Sequence, residues 1–388
     1  MKIDDKTSHN SPSLRFPEFT GEWERCVLGD VLEFSNTRIN SSELNSGNYV
    51  STENILQNFQ GIVKARSIPE DTNVMAFSCG NILLSNIRPY LKKVWKATFN
   101  GGCSSDVFVL QANSNIDADY LHYVVANDKF IGFVMNGAKG VKMPRGDKNQ
   151  MKTYSLSLPS IKEQRKISRF LSFLDERIAV QNRLIEDLKK FKCALEERML
   201  GQCQGKQVRL RDILIERVEK SRINNQYEVL SSTVSGIYSQ REYFNKEIAS
   251  ADNTGYKAIH RGDVVLSPQN LWMGNINYND RFEIGIVSPS YKVFSIDEKF
   301  DKGYIAFLLK TRKALWAYSL VSEQGASIVR RNLNYESFLE ISFVIPSLKE
   351  QQATARRLSA FKQKQTMEEA FLRSLLLQKE FMLKSLFI

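Results

Sequence analysis

Two stretches of this chain carry side chains suited to chemistry on a polyanion. IRPYLKKVWK (87–96) holds Arg88, Lys92, Lys93 and Lys96 with Tyr90 and Trp95 interleaved and no acid. GAKGVKMPRGDKNQMK (137–152) sets five cations, among them Lys139, Lys142, Arg145 and Lys148, against Asp147 alone. Later, SPQNLWMGNINYN (267–279) offers Gln269, Asn270, Trp272 and Asn275, and SIVRRNLN (327–334) offers Arg330, Arg331 and Asn332. Lysine and arginine neutralise phosphates, whereas arginine and side-chain amides pair with base edges in a groove. A charge run is also what an ordinary solvated face looks like, so these residues alone leave both readings open. The formal net charge of +11 favours a polyanionic partner such as nucleic acid.

Other chemistry finds little footing. No Gly-x-Gly-x-x-Gly or Gly-x-x-x-x-Gly-Lys-Ser/Thr element occurs, so neither dinucleotide nor P-loop nucleotide binding is expected. His9, His122 and His260 stand without a second ligand at metal spacing, and His122 falls where a helix face would bury it. Five cysteines form an odd set without a CxxC pair, which points to neither a disulfide framework nor a zinc site and suits a reducing cytoplasm. No run of about 18 apolar residues is present, and the polar start MKIDDKTSHNSPS lacks the apolar core of a signal peptide. The expectation is a cytoplasmic binding protein without a membrane span, whose chemistry belongs to partners.

The elements that must hold these stretches come in duplicate. LPSIKEQRKI (158–167) is nearly repeated as IPSLKEQQAT (345–354). Four more landmarks recur in the same order, at offsets of 182 to 188 residues: CVLGDVLEF (26–34) with VRLRDILIE (208–216), CGNILLS (79–85) with RGDVVLS (261–267), DADYLHYVV (117–125) with DKGYIAFLL (301–309), and Gly137-Ala138 with Gly325-Ala326. Between the landmarks the halves diverge, as two scaffolds with different contact surfaces would. ILLS, VFVL, VVLS and YKVF are short apolar runs bounded by turn residues, so each half reads as a mixed domain rich in short strands, with one helix near 120–130 or 304–317.

After each repeated Pro-Ser the pattern turns helical. Ser160 with Glu163, and Ser347 with Glu350, have the spacing of a capping box. From Ile167 the positions Leu171, Leu174, Ile178, Gln181, Ile185, Leu188, Lys192, Leu195 and Met199 step by fours and threes, a heptad seam. The second copy gives Leu358, Phe361, Leu372, Leu375 and Met382, with Gln365 and Glu368 as its weaker stretch. Residues 162–200 would span about 60 Å as a helix, longer than a domain of that size is wide. The two helices can bury both seams by pairing antiparallel.

These landmarks together resemble the specificity subunit of type I restriction-modification systems. The likeness rests on Trp23 followed by Leu28-Gly29-Asp30, the Gly-Asn/Asp strand ending in Leu-Ser, the Gly-Ala before a basic loop, and the Pro-Ser-Ile/Leu-Lys-Glu-Gln helix start, each found in order. It implies an α+β fold with two mixed α/β target recognition domains separated by two long antiparallel helices, a coiled-coil spacer with pseudo-two-fold symmetry. The expected division is a polar tail at 1–22, domains at 23–160 and 206–347, a helix with linker at 161–205 and a C-terminal helix at 348–388. Its implied partners are double-stranded DNA, two methyltransferase subunits that methylate adenine N6, and a restriction and motor subunit. S-adenosylmethionine, ATP and Mg would be bound by those subunits, none by this chain. Glu163, Gln164, Glu350 and Gln351 join the seam residues as the expected helix and partner surface.

Under that resemblance each domain reads half of an asymmetric, bipartite site. The helix length caps the separation at roughly 18 base pairs, with about one helical turn expected. A rival from another class is a tandem coiled-coil scaffold that binds proteins and never touches DNA.

Overall fold

A computed structural model describes residues 11–243, 252–324 and 330–388. Gly325-Ala326, residues 327–329 of the second basic stretch, and His9 lie outside the described residues. The chain divides into two compact units, Met1–Asn182 with Phe371–Ile388, and Arg183–Ala370.

Each unit is built around an antiparallel four-stranded sheet. In the first unit its order is Leu32–Phe34, Val107–Ala112, Ile82–Ser85, Val94–Lys96; in the second it is Leu214–Glu216, Lys292–Ile296, Val264–Leu266, Ile276–Tyr278. The apolar runs ILLS and VVL sit centrally and are buried on both faces, which is why they do not alternate. A two-stranded pair closes each unit, Glu24–Val27 with Ser155–Leu158 and Lys206–Arg209 with Ser342–Ile345. The first unit adds a second four-stranded sheet containing Asn73–Phe77 and Gly101–Cys103; the second has separate strand pairs instead, among them Leu230–Thr233 with Gly236–Ser239 and Lys257–His260 with Ile284–Val287.

The single helix expected in each half is two helices: α1 (Ala118–Val125) and α2 (Asp128–Asn136) in the first unit, and their counterparts, a helix at Lys302–Leu308 and another at Arg312–Leu320, in the second. The interruption comes from polar residues that cap better than they propagate. Asn127 accepts from Lys129 N and Thr311 from Ala314 N, each starting a new helix. Asp117 and Asp301 cap the preceding ones.

The two long helices are Ile161–Gly201 and Leu348–Ser385. Every expected seam position is buried or half-buried, from Leu171, Leu174 and Ile185 to Leu358 and Leu375, with Ile178, Leu188, Leu195, Phe361, Leu372 and Met382 half-buried. Within the first unit Asp175 pairs with Lys379 at 2.5 Å and the Arg177 guanidinium lies 5.2 Å from the Phe371 ring. Within the second, Lys189 pairs with Glu369 at 3.6 Å and Phe191 packs on Phe361 at 5.3 Å. Numbers rise along one helix as they fall along the other, so the helices run antiparallel in each unit.

The repeated helix start has a different purpose from the one its spacing suggests. The Ser347–Glu350 capping box forms, with Ser347 N donating to Glu350 at 3.0 Å and Glu350 N to Ser347 Oγ at 3.4 Å. At the first copy only Glu163 N reaches Ser160 Oγ, because the Glu163 carboxylate is taken by Arg15 in a two-pronged pair at 2.7 and 2.8 Å. Arg15, Phe16 packed on Phe170, and Leu14 N donating to Ser385 O hold residues 14–16 of the expected polar tail against the helices. Gln164 and Gln351 are 1% and 3% exposed and belong to the domain interior, not to a partner surface. Gln164 accepts from Asp117 N at 2.8 Å and donates to Pro159 O at 2.9 Å; Gln351 accepts from Asp301 N at 2.9 Å and donates to Pro346 O at 2.9 Å. The motif is thus written twice because one carboxamide ties each long helix to the N-cap of a short one. Gln164→Leu, which strands both partners, is expected to lower unfolding free energy by about 2 to 4 kcal/mol in urea titrations, with Gln351→Leu giving a matching loss.

Candidate nucleic-acid interface

Two loops converge in each unit. In the first, the strand Ile82–Ser85 runs into a 3₁₀ turn at Pro89–Leu91, flanked by Arg88 and Lys92 in left-handed backbone at φ 52° and 54°. Side chains with a Cβ rarely adopt that region, at a cost of order 1 kcal/mol each, and such strain gathers at functional loops. The loop after α2 folds back onto this turn: Arg88 N donates to Pro144 O at 2.8 Å, Gly146 N donates to Asn86 O at 3.2 Å, and Ile87 bridges to Arg145. Lys139 and Arg145 exchange two main-chain hydrogen bonds at 3.0 and 2.9 Å, making a tight loop whose tip exposes Val141, Lys142 and Met143. The structure therefore joins two stretches that lie about fifty positions apart in sequence.

Arg88, Tyr90, Lys139, Lys142 and Arg145 are exposed on these joined loops. Arg88 and Lys142 have no carboxylate partner among the described residues, while Lys139 pairs with Asp147 at 2.9 Å and Arg145 with Asp106 at 3.2 Å. Four other candidates are engaged within the unit. Lys93 donates to Thr52 O, and burial pulls its ammonium below the usual lysine range. Lys92 pairs with Asp128 at 2.6 Å, Lys96 pairs with Asp119, and Lys148 lies over the Phe34 and Phe108 rings at 5.5 and 5.2 Å. Lys93 in particular belongs to the fold.

The second unit repeats the construction with different side chains. The strand Val264–Leu266 leads to a 3₁₀ turn at Pro268–Met273, which carries Gln269, Asn270 and Trp272. Against it lies the antiparallel strand pair Ser322–Gln324 with Arg331–Leu333, and the Arg331 guanidinium stacks 4.1 Å above the Trp272 ring. Arg330 and Asn332 are exposed beside it. Asn275 is placed otherwise than expected. At 4% exposure it accepts from Ser232 Oγ at 2.7 Å and donates to Ser232 O at 2.9 Å, and its neighbour Asn277 donates to Thr233 O at 2.7 Å. Its amide is spent on joining two strands, so it has no edge left for a base.

Both turns also hold a buried amide oxygen without a hydrogen-bond partner among the described residues, Asn86 Oδ1 in the first unit and Asn270 Oδ1 in the second, together with Arg331 Nε. An unsatisfied buried polar atom is costly, and the sequence alone gives no sign of it. His122 is packed inside the first unit, where burial pushes its imidazole down to about 4 and keeps it neutral. Among the described residues no cluster of metal-ligating side chains occurs, and no helix is long and apolar enough to cross a membrane.

Residues 20–190 match the family described as type I restriction modification DNA specificity domain. The EcoDI specificity subunit of a type I restriction enzyme from Escherichia coli is 33% identical over 93 residues, 24% of this chain but only 20% of that protein. The MjaVIII specificity subunit from Methanocaldococcus jannaschii is 23% identical across 92% of this chain and 91% of its own. Among solved structures, the S subunit of a type I restriction-modification system from M. genitalium superposes with a TM-score of 0.61 at 16% identity, covering 97% of this chain and 99% of that one. A chain from a structure concerned with assembly and conformational transition of a type I system gives 0.57 at 14% identity, covering 94% and 97%. At those identities the likeness establishes the fold.

The two kinds of amide separate in a stability measurement. Asn275→Ala is expected to cost about 1 to 3 kcal/mol of unfolding free energy, whereas Asn332→Ala stays within about 0.5 kcal/mol of the parent.

Proposed function

We propose that this chain is a specificity subunit of a type I restriction-modification system, which reads an asymmetric, two-part DNA sequence and presents it to catalytic partners. The observation that carries the reading is the repeated convergence of the same two loops, furnished in the first unit with Arg88, Tyr90, Lys139, Lys142 and Arg145 and in the second with Gln269, Trp272, Arg331 and Asn332. One scaffold with two different sets of contact groups fits two dissimilar half-sites. The first set weighs toward phosphate contact and the second toward base edges and stacking, given arginine and amides beside an indole.

The chemistry would lie elsewhere. Two methyltransferase subunits holding S-adenosylmethionine would methylate adenine N6 on an adenine turned out of the stack, and a motor and nuclease subunit using ATP and Mg would join for restriction. Their docking surface in the first unit would include exposed apolar side chains of the paired helices, Phe173, Val180 and Phe381. The site of action would be the cytoplasm.

Replacing residues 23–157 by the same region of a relative, and mapping methylated adenines across the genome of cells carrying the full system, should change one half-site and leave the other. Two unchanged half-sites would refute the assignment. In gel shifts with the methyltransferase partners, Lys142→Ala should weaken binding to all sequences alike and lower the salt slope by about one. Asn332→Ala should instead relax discrimination at one base pair, by about 1 to 3 kcal/mol. No shift with this chain present would favour a protein scaffold.

A further inference from the structure

The second unit holds a cavity of about 400 Å³ where three elements meet: the end of the first long helix, the corner joining the helices Lys302–Leu308 and Arg312–Leu320, and the strand Ser342–Ile345. Its lining residues run from Cys193 to Val344, all inside that unit, and include none of the residues proposed to touch DNA. The volume is in the range of small-ligand pockets.

The floor is apolar, since Leu200, Leu308 and Phe343 are each 5% exposed or less. Beyond Leu200 the long helix ends on Gly201, and nothing lies within 4 Å of where a Cβ on that glycine would stand. Water over such a floor is poorly hydrogen-bonded, and an apolar body displaces it favourably.

The rim carries charges of both signs that do not pair with one another. Arg312 and Lys313 are exposed on one side, without a carboxylate partner among the described residues. Glu197 is exposed on the long helix, without a cationic partner among the described residues. Its neighbour Glu196 is already engaged by Lys192 at 3.6 Å. Lys310 also lines the wall, but its ammonium donates to Val234 O at 3.2 Å and Gly274 O at 2.9 Å, so it takes no part. Opposite charges left apart around one opening suit a molecule that is itself dipolar, because each end then meets its complement.

We propose that this cavity binds a free α-amino acid with a large apolar side chain. Arg312 and Lys313 hold its carboxylate, Glu197 holds its ammonium, and the side chain lies on Leu200, Leu308 and Phe343. Glu197 disfavours a polyanion, and a purely apolar ligand would leave the rim charges unmet. The inference stands apart from DNA reading and does not depend on it.

The probe is L-tryptophan, titrated into the full chain by isothermal calorimetry. Saturable binding at one site per chain is expected. Tryptamine, which lacks the carboxylate, and indole-3-propionate, which lacks the ammonium, should each bind about tenfold more weakly or worse, as loss of one charge-assisted contact implies. Glu197→Gln should weaken L-tryptophan and leave indole-3-propionate unchanged, whereas Lys313→Gln should weaken both and leave tryptamine unchanged. Gly201→Trp, which fills the cavity, should abolish binding. Circular dichroism melts confirm that each variant is folded, and the two exposed changes keep the test sound if Gly201→Trp is not. Absence of saturable heat at millimolar L-tryptophan, affinity indifferent to Glu197 and Lys313, or indole-3-propionate binding as tightly as L-tryptophan overturns the proposal.

Discussion

Everything in each unit hangs from one buried carboxamide. Gln164 and Gln351 sit where a long helix leaves its domain, and each spans two groups that no neighbouring strand or helix satisfies: the carbonyl of the proline before the helix and the amide of the aspartate that caps a short helix. A glutamine is suited to this because it is neutral, long enough to reach both, and carries donor and acceptor together. A glutamate would lose the donor, and a leucine would lose both. Removed from water, such a bond is strong when made and expensive when broken. The direction of the helix is thereby fixed relative to the sheet that carries the converging loops.

The seam between the helices is built differently. Apolar residues supply attachment, but Gln181, Lys192, Gln365, Glu368 and Lys379 interrupt the stripe. Lys379 answers Asp175, and Asp175 also accepts from Tyr123 OH at 2.9 Å. One carboxylate thus joins α1, the first long helix and the last one. Sliding the helices by a heptad would strand that carboxylate, so a polar triad sets register where leucines alone would tolerate several.

Much of this was legible in the sequence because repetition supplied an internal control. The seam period, the Gly-Asn/Asp strand and the Pro-Ser helix start each occur twice, and each marks an element that the structure contains. What stayed hidden depends on long-range partners. Glu163 and Glu350 occupy equivalent places in nearly the same local sequence, yet Glu350 caps its own helix turn and Glu163 takes Arg15 from about 150 positions away. Asn275 and Gln269 are equally polar residues in one loop, yet only the first meets Ser232. Spacing reports faces of an element; it does not report which distant chain segment covers them.

The same distinction decides which cations remain available for a polyanion. Formal charge counts Lys93, Lys139 and Arg145 alike, but their partners differ in kind. An exposed pair such as Lys139–Asp147 contributes only about 0 to 1 kcal/mol, so a phosphate can replace its carboxylate at little cost. Lys93 donates a hydrogen bond to a carbonyl in a half-buried site, and drawing it out would leave that carbonyl unsatisfied. Arg217 is likewise held by Asp263, which is 3% exposed, through bonds of 2.8 and 3.0 Å. Positive charge is available to a polyanion only where its present partner is cheap to exchange. In the first unit that condition is met on the joined loops around Arg88 and Lys142; in the second it is met by Arg331 on its indole, a cation oriented by stacking and without a carboxylate partner among the described residues.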